Sequence, residues 1–344
     1  MTLGRIAFLG SGETSLAGGR IFESLAHLIS DSLRVCVMET TAGFELNSAI
    51  VAGRVAEFLK TRLQNYKPTV DVIPARKKGT EFSPDNLDIL KPLLNANLIF
   101  MGPGSPSYAV RQLKGTLAWD IIRARHRLGA TLVFSSAATI SVGAWALPVY
   151  EIYKVGEDVH TKVGLNLFSD FGLDLSFMPH WNNAEGGIDL DTSRCFVGIE
   201  RFDQWRKLLP AENVLVGLDE HTGIIIDCEN KICEVSGVSS ISVIKCDGME
   251  MYPAGSSFSL NELGQITYPD PIEKGIQPNV WEMVINAPKM EDETPPAEAL
   301  ELLEQRRDAR TRKDFTESDR LRDQIFILGW TVQDGKEGQK LVKR

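Results

Sequence analysis

The strongest candidate for a nucleophile lies where an apolar run ends in small residues, in Thr131-Leu-Val-Phe-Ser-Ser-Ala-Ala-Thr139. A nucleophile elbow holds its serine in a strained turn between a strand and a helix, so the neighbouring side chains must be small. The N-terminus of the following helix also favours developing negative charge. Ser136 occupies this position. The alternative is a strand followed by a serine that only caps a helix.

A histidine and a pair of carboxylates supply candidate partners for Ser136. His180 follows a proline at the end of an apolar run, and imidazole is well suited to accept a serine proton near neutral pH. Asp219 and Glu220 lie between two strand-like runs, where a carboxylate can orient the imidazole. The alternatives are a histidine with an ordinary hydrogen bond and a polar turn of a β-hairpin.

The spacing of polar residues and glycines also bears on a metal site and on a dinucleotide-binding site. A metal site would combine His180, Glu185, Asp189 and Asp191, but their spacing matches no standard metal site. The loop Gly10-Ser-Gly-Glu-Thr14 follows an apolar run, yet it lacks the third glycine of a dinucleotide-binding fingerprint. We therefore expect neither a metal nor a cofactor.

A second glycine-rich loop, Gly102-Pro-Gly-Ser-Pro106, follows an apolar run and precedes a helical pattern. Its backbone N–H groups can face an oxyanion, and the same residues also suit a tight turn.

The elements that must position these residues alternate between short apolar runs and longer amphipathic stretches, as in βαβ units that form a parallel sheet. The predicted strands of this half are Ile6 to Leu9, Arg34 to Met38, Val70 to Ile73, Leu98 to Met101 and Thr131 to Phe134. The predicted helices are Arg20 to Ile29, Ala49 to Leu63, Pro84 to Leu94 and Ser107 to Leu128. After Tyr150 the pattern favours short strands, at Val214 to Leu218, Gly223 to Asp227, Ile232 to Val235 and Ser242 to Cys246.

The chain divides by composition into three parts. Residues 1–285 are predicted to form one α/β domain, residues 286–297 are rich in proline and acidic residues and suit a linker, and residues 298–344 are predicted to form a helical hairpin. Its helices are expected at Pro296 to Lys313 and at Thr316 to Leu328, with Thr316 as N-cap. Such a hairpin buries little surface alone, so we expect it to dock on another surface.

Composition narrows the class of protein. Of 344 residues, 43% are hydrophobic and 24% charged, which are ordinary globular values, and no apolar run approaches the ~18 residues of a membrane span. The five cysteines show neither a disulfide framework nor a zinc pattern, and we expect a cytoplasmic protein without membrane contact. The net charge of −9 argues against nucleic-acid binding by the whole molecule. Residues 295–344 nevertheless carry 11 Lys/Arg and 10 Asp/Glu.

Four segments together resemble the cyanophycinase and aspartyl-dipeptidase family of serine peptidases, over roughly residues 5 to 265. They are Gly10-Ser-Gly-Glu13, Pro103-Gly-Ser-Pro106, Phe134-Ser-Ser-Ala-Ala-Thr139 and Asp219-Glu-His-Thr-Gly223. The resemblance implies an α/β fold with a doubly wound, mostly parallel sheet, similar to class I glutamine amidotransferases. Phe134 and Ala138 stand where the family's elbow has glycines.

The resemblance also implies roles for individual residues. Ser136 is the nucleophile, His180 the base and Glu220 the orienting acid, with the backbone amides of Gly104 and Ala137 as oxyanion donors. The further residues expected to bind substrate are Ser105, Glu13, Asn182 and Arg194.

Residues 298–344, called the tail below, have a separate resemblance. It is carried by Arg306-Arg-Asp-Ala-Arg-Thr-Arg-Lys-Asp-Phe315, Ser318-Asp-Arg-Leu-Arg-Asp323 and Gly329-Trp-Thr-Val-Gln-Asp334. It is similar to the end of the helical domain of cysteinyl-tRNA synthetases over about 40 residues. The HIGH and KMSKS signatures of these enzymes are absent, so the resemblance does not imply aminoacylation. The tail's opposite charges at helical spacing also suit a solvated, salt-bridged hairpin.

We therefore expect a serine hydrolase that acts on a small peptide or isopeptide bond, with an acidic substrate residue implied by the resemblance alone. One alternative is a non-catalytic domain of the same fold that binds a small ligand or a protein partner. Another is an RNA-associated protein that contacts tRNA or other RNA through its tail. A homodimer is a further option.

Overall fold

The computed structural model describes residues 3–269, 271–288, 295–335 and 338–343. Its contacts separate two units, one ending at Ala287 and the other beginning at Pro288. The predicted linker at 286–297 lies partly outside the described residues, since 289–294 are not among them. None of the described helices is both long and apolar enough to cross a membrane.

The first unit contains fourteen strands in the part of the chain that is described. They are β1 Ile6–Leu9, β2 Arg34–Met38, β3 Thr69–Ile73, β4 Leu98–Met101, β5 Thr131–Ser135, β6 Trp145–Ala146, β7 Lys162–Val163, β8 Leu175–Met178, β9 Val214–Leu218, β10 Thr222–Asp227, β11 Ile232–Gly237, β12 Ser240–Lys245, β13 Gly248–Pro253 and β14 Ser257–Ser259.

Helices connect these strands. The α-helices of the first unit are α1 Leu16–His27, α2 Ser48–Arg62, α3 Leu87–Leu90, α4 Pro106–Leu113, α5 Leu117–Arg127, α6 Ala137–Ser141, α7 Gly198–Arg206 and α8 Pro278–Ile285. Short 3-10 helices lie at Thr40–Ala42, Gln64–Tyr66, Lys91–Asn95, Leu167–Phe171 and Leu260–Leu263, and one π-helical turn lies at Glu151–Val155.

An eight-stranded sheet forms the centre of the unit, in the order β14-β11-β10-β1-β5-β4-β2-β3. The strands from β1 to β3 in this order are parallel, and β10, β11 and β14 continue the sheet antiparallel. A second sheet has the order β13-β12-β9-β8, in which β8 and β9 are parallel. The predicted doubly wound, mostly parallel α/β fold is confirmed.

Alternate residues of the central strands enter two separate cores, as the two-residue period of a strand requires. In β1, Phe8 packs in one core and Leu9 in the other. The core that holds Leu9 also takes Phe22 of α1 and Leu59 of α2. The core that holds Phe8 also takes Phe177 of β8, so the second sheet covers that face. Both faces of the central parallel strands β1, β4 and β5 are therefore buried, whereas the edge strand β3 is only partly covered.

Two helix predictions are wrong in extent. The stretch Ser107 to Leu128 forms two helices, because Gly115 adopts a left-handed φ of 70° and the Thr116 hydroxyl caps α5 by accepting from Trp119 N. The stretch Pro84 to Leu94 forms only α3 followed by a 3-10 helix, where Pro92 lacks the N–H that an α-helix needs.

The second unit contains α9 Ala297–Thr311, α10 Phe315–Ile327 and an antiparallel hairpin of β15 Trp330–Gly335 and β16 Gly338–Lys343. The predicted helix pair is confirmed, but the strands were not predicted. The predicted N-cap at Thr316 is wrong, since the side chain of Asp314 accepts from Glu317 N instead. The β15–β16 hairpin contributes Trp330, which packs with Ala299 and Ile325. This contact gives the second unit a small hydrophobic core of its own.

Candidate active site

Ser136 lies in a sharp turn between β5 and α6, with φ 51° and ψ −117°. This backbone conformation is uncommon for a residue with a Cβ because it is strained. It persists only where the surrounding structure enforces it. Here the N–H of Ser136 donates to Leu9 O at 3.3 Å, and α6 begins at the next residue, Ala137. The turn therefore has the geometry of a strand-to-helix nucleophile elbow.

The two larger residues of the elbow do not displace it. The Phe134 side chain points into the core, where its ring lies 5.5 Å from that of Phe8. Ala138 is fully buried, and its N–H donates to Gly102 O at 3.3 Å. The elbow is thus held by backbone contacts from neighbouring loops without glycines at these positions.

His180 connects Ser136 to Glu220. Its Nε2 lies 2.9 Å from Ser136 Oγ, and its Nδ1 lies 2.9 Å from Glu220 Oε1. If Nδ1–H donates to the carboxylate, Nε2 is free to accept the serine proton. His180 follows β8 and Glu220 follows β9, and these strands are parallel neighbours, so their carboxyl ends bring the two side chains to one edge.

The carboxylate of Glu220 is held in its ionised form. Burial raises its pKa, but hydrogen bonds from His180 and Asn183, together with electrostatic attraction to His180 and His221, outweigh burial, so the pKa lies below its ordinary value. Asn183 is buried and donates to Glu220 Oε1 at 3.0 Å, whereas Asn182 accepts from the backbone N–H of Glu220 at 2.8 Å. Asn182 was expected in the site and Asn183 was not, because spacing along the sequence does not tell which of two adjacent amides turns inward.

The neighbouring carboxylate, Asp219, has a separate role. Its Oδ2 accepts from the Ser239 hydroxyl at 2.6 Å and from Ser240 N at 3.2 Å. Asp219 thus fixes the turn, and Glu220 is the carboxylate that contacts the histidine.

The two backbone amides that were expected to stabilise an oxyanion belong to residues of the cavity wall. Gly104 and Ala137 both line the cavity that contains Ser136. Among the described residues, neither N–H donates to an acceptor. Gly104 adopts φ 145°, and a Cβ there would lie 2.1 Å from Thr41 O, so only glycine fits this position.

Three residues expected to bind substrate are engaged within the fold. The Ser105 hydroxyl caps α4 by accepting from Tyr108 N at 3.2 Å. Glu13 accepts from the Ser135 hydroxyl at 2.9 Å. The guanidinium of Arg194 lies 3.7 Å from the centre of the Trp181 ring, and its Nη1 donates to Trp181 O at 2.7 Å. Contact of these residues with a substrate stays a prediction.

The cavity beside Ser136 has a volume of about 270 Å³. Sequence reasoning assigned no role in substrate binding to several side chains that line it, among them Tyr150, Tyr153, Lys154, Cys195 and Phe196. Tyr153 and Lys154 lie in the π-helical turn, and Cys195 and Phe196 lie in a segment with left-handed backbone conformation. No clear sequence pattern predicts either feature.

That left-handed segment supports His180. Arg194, Cys195 and Phe196 have φ of 55°, 59° and 68°, which is unfavourable for side chains with a Cβ. The Cys195 N–H donates to His180 O at 3.2 Å, and the Phe196 ring lies 5.3 Å from the imidazole. Burial and the charge of Glu220 raise the pKa of the Cys195 thiol to about 12, so it is protonated at neutral pH and a poor nucleophile.

The described residues contain no group of three or more His, Cys, Asp or Glu side chains that could hold a metal ion. Asp191, one of the residues considered for a metal, instead accepts from Ser193 N at 3.0 Å and from Ile199 N at 2.8 Å.

Different known proteins match different parts of the chain. Residues 293–340 match a family model described as the cysteinyl-tRNA ligase anticodon binding domain. Over 48 residues, the chain is 50% identical to the cysteine–tRNA ligase of Chlamydia trachomatis serovar A and 48% identical to that of Methanosarcina mazei. Each match covers 14% of this chain and 10% of the ligase, so the chain spans about a tenth of the length of these relatives.

Solved structures match the larger part of the chain. A peptidase from an acI-B1 Actinobacterium superposes with a TM-score of 0.60 at 20% identity, covering 75% of this chain and 97% of that one. A putative peptidase E protein from Listeria monocytogenes gives a TM-score of 0.43 at 17% identity, covering 69% of this chain and 100% of that one. The chain therefore combines a fold similar to that of a solved peptidase with a C-terminal segment similar to a short part of cysteine–tRNA ligases.

Proposed function

We propose that the first unit is a serine hydrolase that cleaves a small peptide or isopeptide bond. Ser136 is the nucleophile, His180 the general base and Glu220 the orienting acid. The continuous pair of 2.9 Å contacts from Ser136 through His180 to Glu220 carries the proposal. The strained elbow at Ser136 supports it, because such a turn exposes the hydroxyl at the end of a central strand.

The chemistry runs in two halves. Ser136 Oγ attacks the substrate carbonyl while His180 takes its proton, and the amides of Gly104 and Ala137 stabilise the resulting oxyanion. His180 then gives the proton to the leaving amine, which departs and leaves an acyl-serine. Water attacks this ester while His180 takes its proton; the Oγ–acyl bond then breaks as His180 returns the proton to Ser136 Oγ, and the acid product departs from free Ser136.

The name of the solved neighbour supports a peptide substrate, since it is called a peptidase. The size of the cavity supports a small one, because about 270 Å³ lies below the usual range for drug-sized ligands. No cofactor is needed for this chemistry.

A fluorophosphonate probe tests the proposal, because it reacts covalently with a serine that a base activates. We expect labelling of Ser136 in the full chain, loss of labelling in Ser136→Ala, and a decrease of orders of magnitude in His180→Ala. Ser135→Ala is the matched control: its hydroxyl contacts Glu13, and adjacent strand residues face opposite sides. An unlabelled wild-type protein would favour the alternative, a non-catalytic domain that binds a small ligand.

For the second unit we propose contact with RNA, tRNA being the first candidate. The match of residues 293–340 to an anticodon binding domain supports it. We also propose that the chain divides into a main domain at 1–285, a linker at 286–297 and a tail at 298–344. Binding of tRNA by the full chain should weaken as salt rises, because released counterions drive phosphate contacts. Absent binding at low salt would leave the tail as a protein-contact or solvated element.

A further inference from the structure

The cavity wall beyond the nucleophile is largely apolar. Ile140 and Val149 are buried in it, and Tyr150, Tyr153 and Phe196 add aromatic surface. The rings of Tyr153 and Phe196 lie 5.9 Å apart, so they form one continuous face. Tyr150 and Tyr153 are partly exposed, so a substrate group placed there covers these rings, loses part of its own contact with water and gains apolar contacts.

The charged groups of the lining balance each other. Besides His180, the cavity is lined by one ammonium, Lys154, and one carboxylate, Glu185. The ammonium lies 5.5 Å from the centre of the Tyr153 ring and its residue is exposed, so it is at the rim. A lining with one charge of each sign gives no net attraction for an acidic side chain.

Arg194, which was expected to bind substrate, is not among the described residues that line the cavity. Its guanidinium is stacked on Trp181 at 3.7 Å and hydrogen-bonded to Trp181 O. The planar, bidentate group that best recognises a carboxylate is therefore committed elsewhere.

We propose that this cavity accepts an uncharged apolar or aromatic substrate residue and discriminates against an acidic one. The inference rests on the serine hydrolase proposed above and names its substrate class. An acidic side chain would leave water for aromatic and aliphatic walls with only the ammonium of Lys154 at the rim, which Glu185 balances, and this is unfavourable.

The test uses α-aminoalkyl diphenyl phosphonates, which modify an activated serine and differ only in the side chain. The full chain is treated with the phenylalanine, leucine and aspartate analogues, and the second-order rate of Ser136 modification is measured by mass spectrometry. We expect the phenylalanine or leucine analogue to react at least about 10-fold faster than the aspartate analogue, since one methylene changes such selectivity ~10- to 200-fold. An aspartate analogue that reacts as fast or faster overturns the inference.

A substitution in the wall sharpens the test. Tyr153→Arg supplies the missing guanidinium and should raise the aspartate rate relative to the phenylalanine rate by about 10-fold. Tyr268→Arg is the matched control, because Tyr268 is similarly exposed but lies outside the cavity lining. The rate with a small fluorophosphonate checks that both variants keep an intact triad. Equal side-chain selectivity in Tyr153→Arg and Tyr268→Arg would contradict the assignment of this wall.

The outcomes separate this inference from the proposed function. A protein that the fluorophosphonate does not modify contradicts the hydrolase, and calorimetric binding of Phe-Ala against Asp-Ala then tests the cavity. Preference for Phe-Ala supports the inference and equal or reversed preference overturns it. A protein that the fluorophosphonate modifies but that reacts with none of the phosphonates contradicts the inference alone.

Discussion

The two units of this protein carry their information in different ways. In the first unit, side chains more than 40 positions apart in sequence meet within 2.9 Å, although the solved peptidase of similar fold shares only 20% of its sequence. In the second unit, about 48 consecutive residues are up to 50% identical to their relatives, and they cover only a tenth of those proteins. A candidate site can be assembled from a few side chains that are far apart in sequence, whereas sequence similarity can be confined to one continuous segment that covers a small part of its relatives.

The largest expected effect tests whether Ser136 and His180, which are far apart in sequence, act together in one catalytic step. Ser136→Ala and His180→Ala should each lower kcat for the best aminoacyl p-nitroanilide by about 10⁴-fold or more. The double variant should fall no further, because each residue is useless without the other. Steady-state kinetics of the three variants measures this. Losses that multiply in the double variant would show that the two residues work separately.

The next effect concerns the carboxylate that orients the histidine. Glu220→Gln keeps the size of the side chain but removes its charge, and it should lower kcat by about 10³-fold because the imidazole loses its preferred tautomer. Asp219→Asn is the comparison, since Asp219 fixes the turn through Ser239. A larger loss of kcat in Asp219→Asn than in Glu220→Gln would reverse the two assignments.

A core substitution in the second unit tests whether the two units are independent. Trp330→Ala removes a buried indole from the small core it shares with Ala299 and Ile325 and should cost about 3 kcal/mol of local stability. Hydrogen exchange should quicken in α9 and α10 and stay unchanged in β1 and β5. Hydrolysis should also be unchanged. Faster exchange in the central sheet would show that the units fold as one.

A smaller effect distinguishes two adjacent amides. Asn183→Ala removes a buried donor to Glu220 and should lower kcat by about 10-fold, with KM little changed. Asn182→Ala should have a smaller effect, because Asn182 is exposed and accepts from the backbone N–H of Glu220 rather than donating to its carboxylate. Equal kinetics of Asn183→Ala and wild type would remove Asn183 from the site.

The smallest effect is on stability against pH. The pKa of Glu220 is lower in the folded chain than its ordinary value of 4.5. The ionised carboxylate therefore stabilises the fold above pH 4.5, and this stabilisation is lost as pH falls through the folded pKa. The difference in unfolding free energy between wild type and Glu220→Gln should shrink below that pH in denaturant titrations. A constant difference across this range would contradict the shift.

The three side chains that contact one another, Ser136, His180 and Glu220, could be named from the sequence because of their places along the chain. Ser136 follows an apolar strand and small residues flank it, His180 and Glu220 follow other apolar runs, and parallel strands deliver their carboxyl ends to common edges. The cavity walls were not predictable in the same way. Tyr153 enters from a π-helical turn and Phe196 from a left-handed segment, and neither conformation follows from residue type.

The sequence by itself determined the alternation of strands and helices, the helix pair of the tail and the residue types at the ends of the strands, because these depend on periodicity and on neighbours along the chain. Only the tertiary structure decided that Asn183 rather than Asn182 contacts the carboxylate, that Arg194 stacks on Trp181, and that the β15–β16 hairpin completes the second core. Each of these depends on which surfaces meet across long stretches of chain. Side-chain direction there is set by packing and hydrogen-bond satisfaction, which local sequence does not encode.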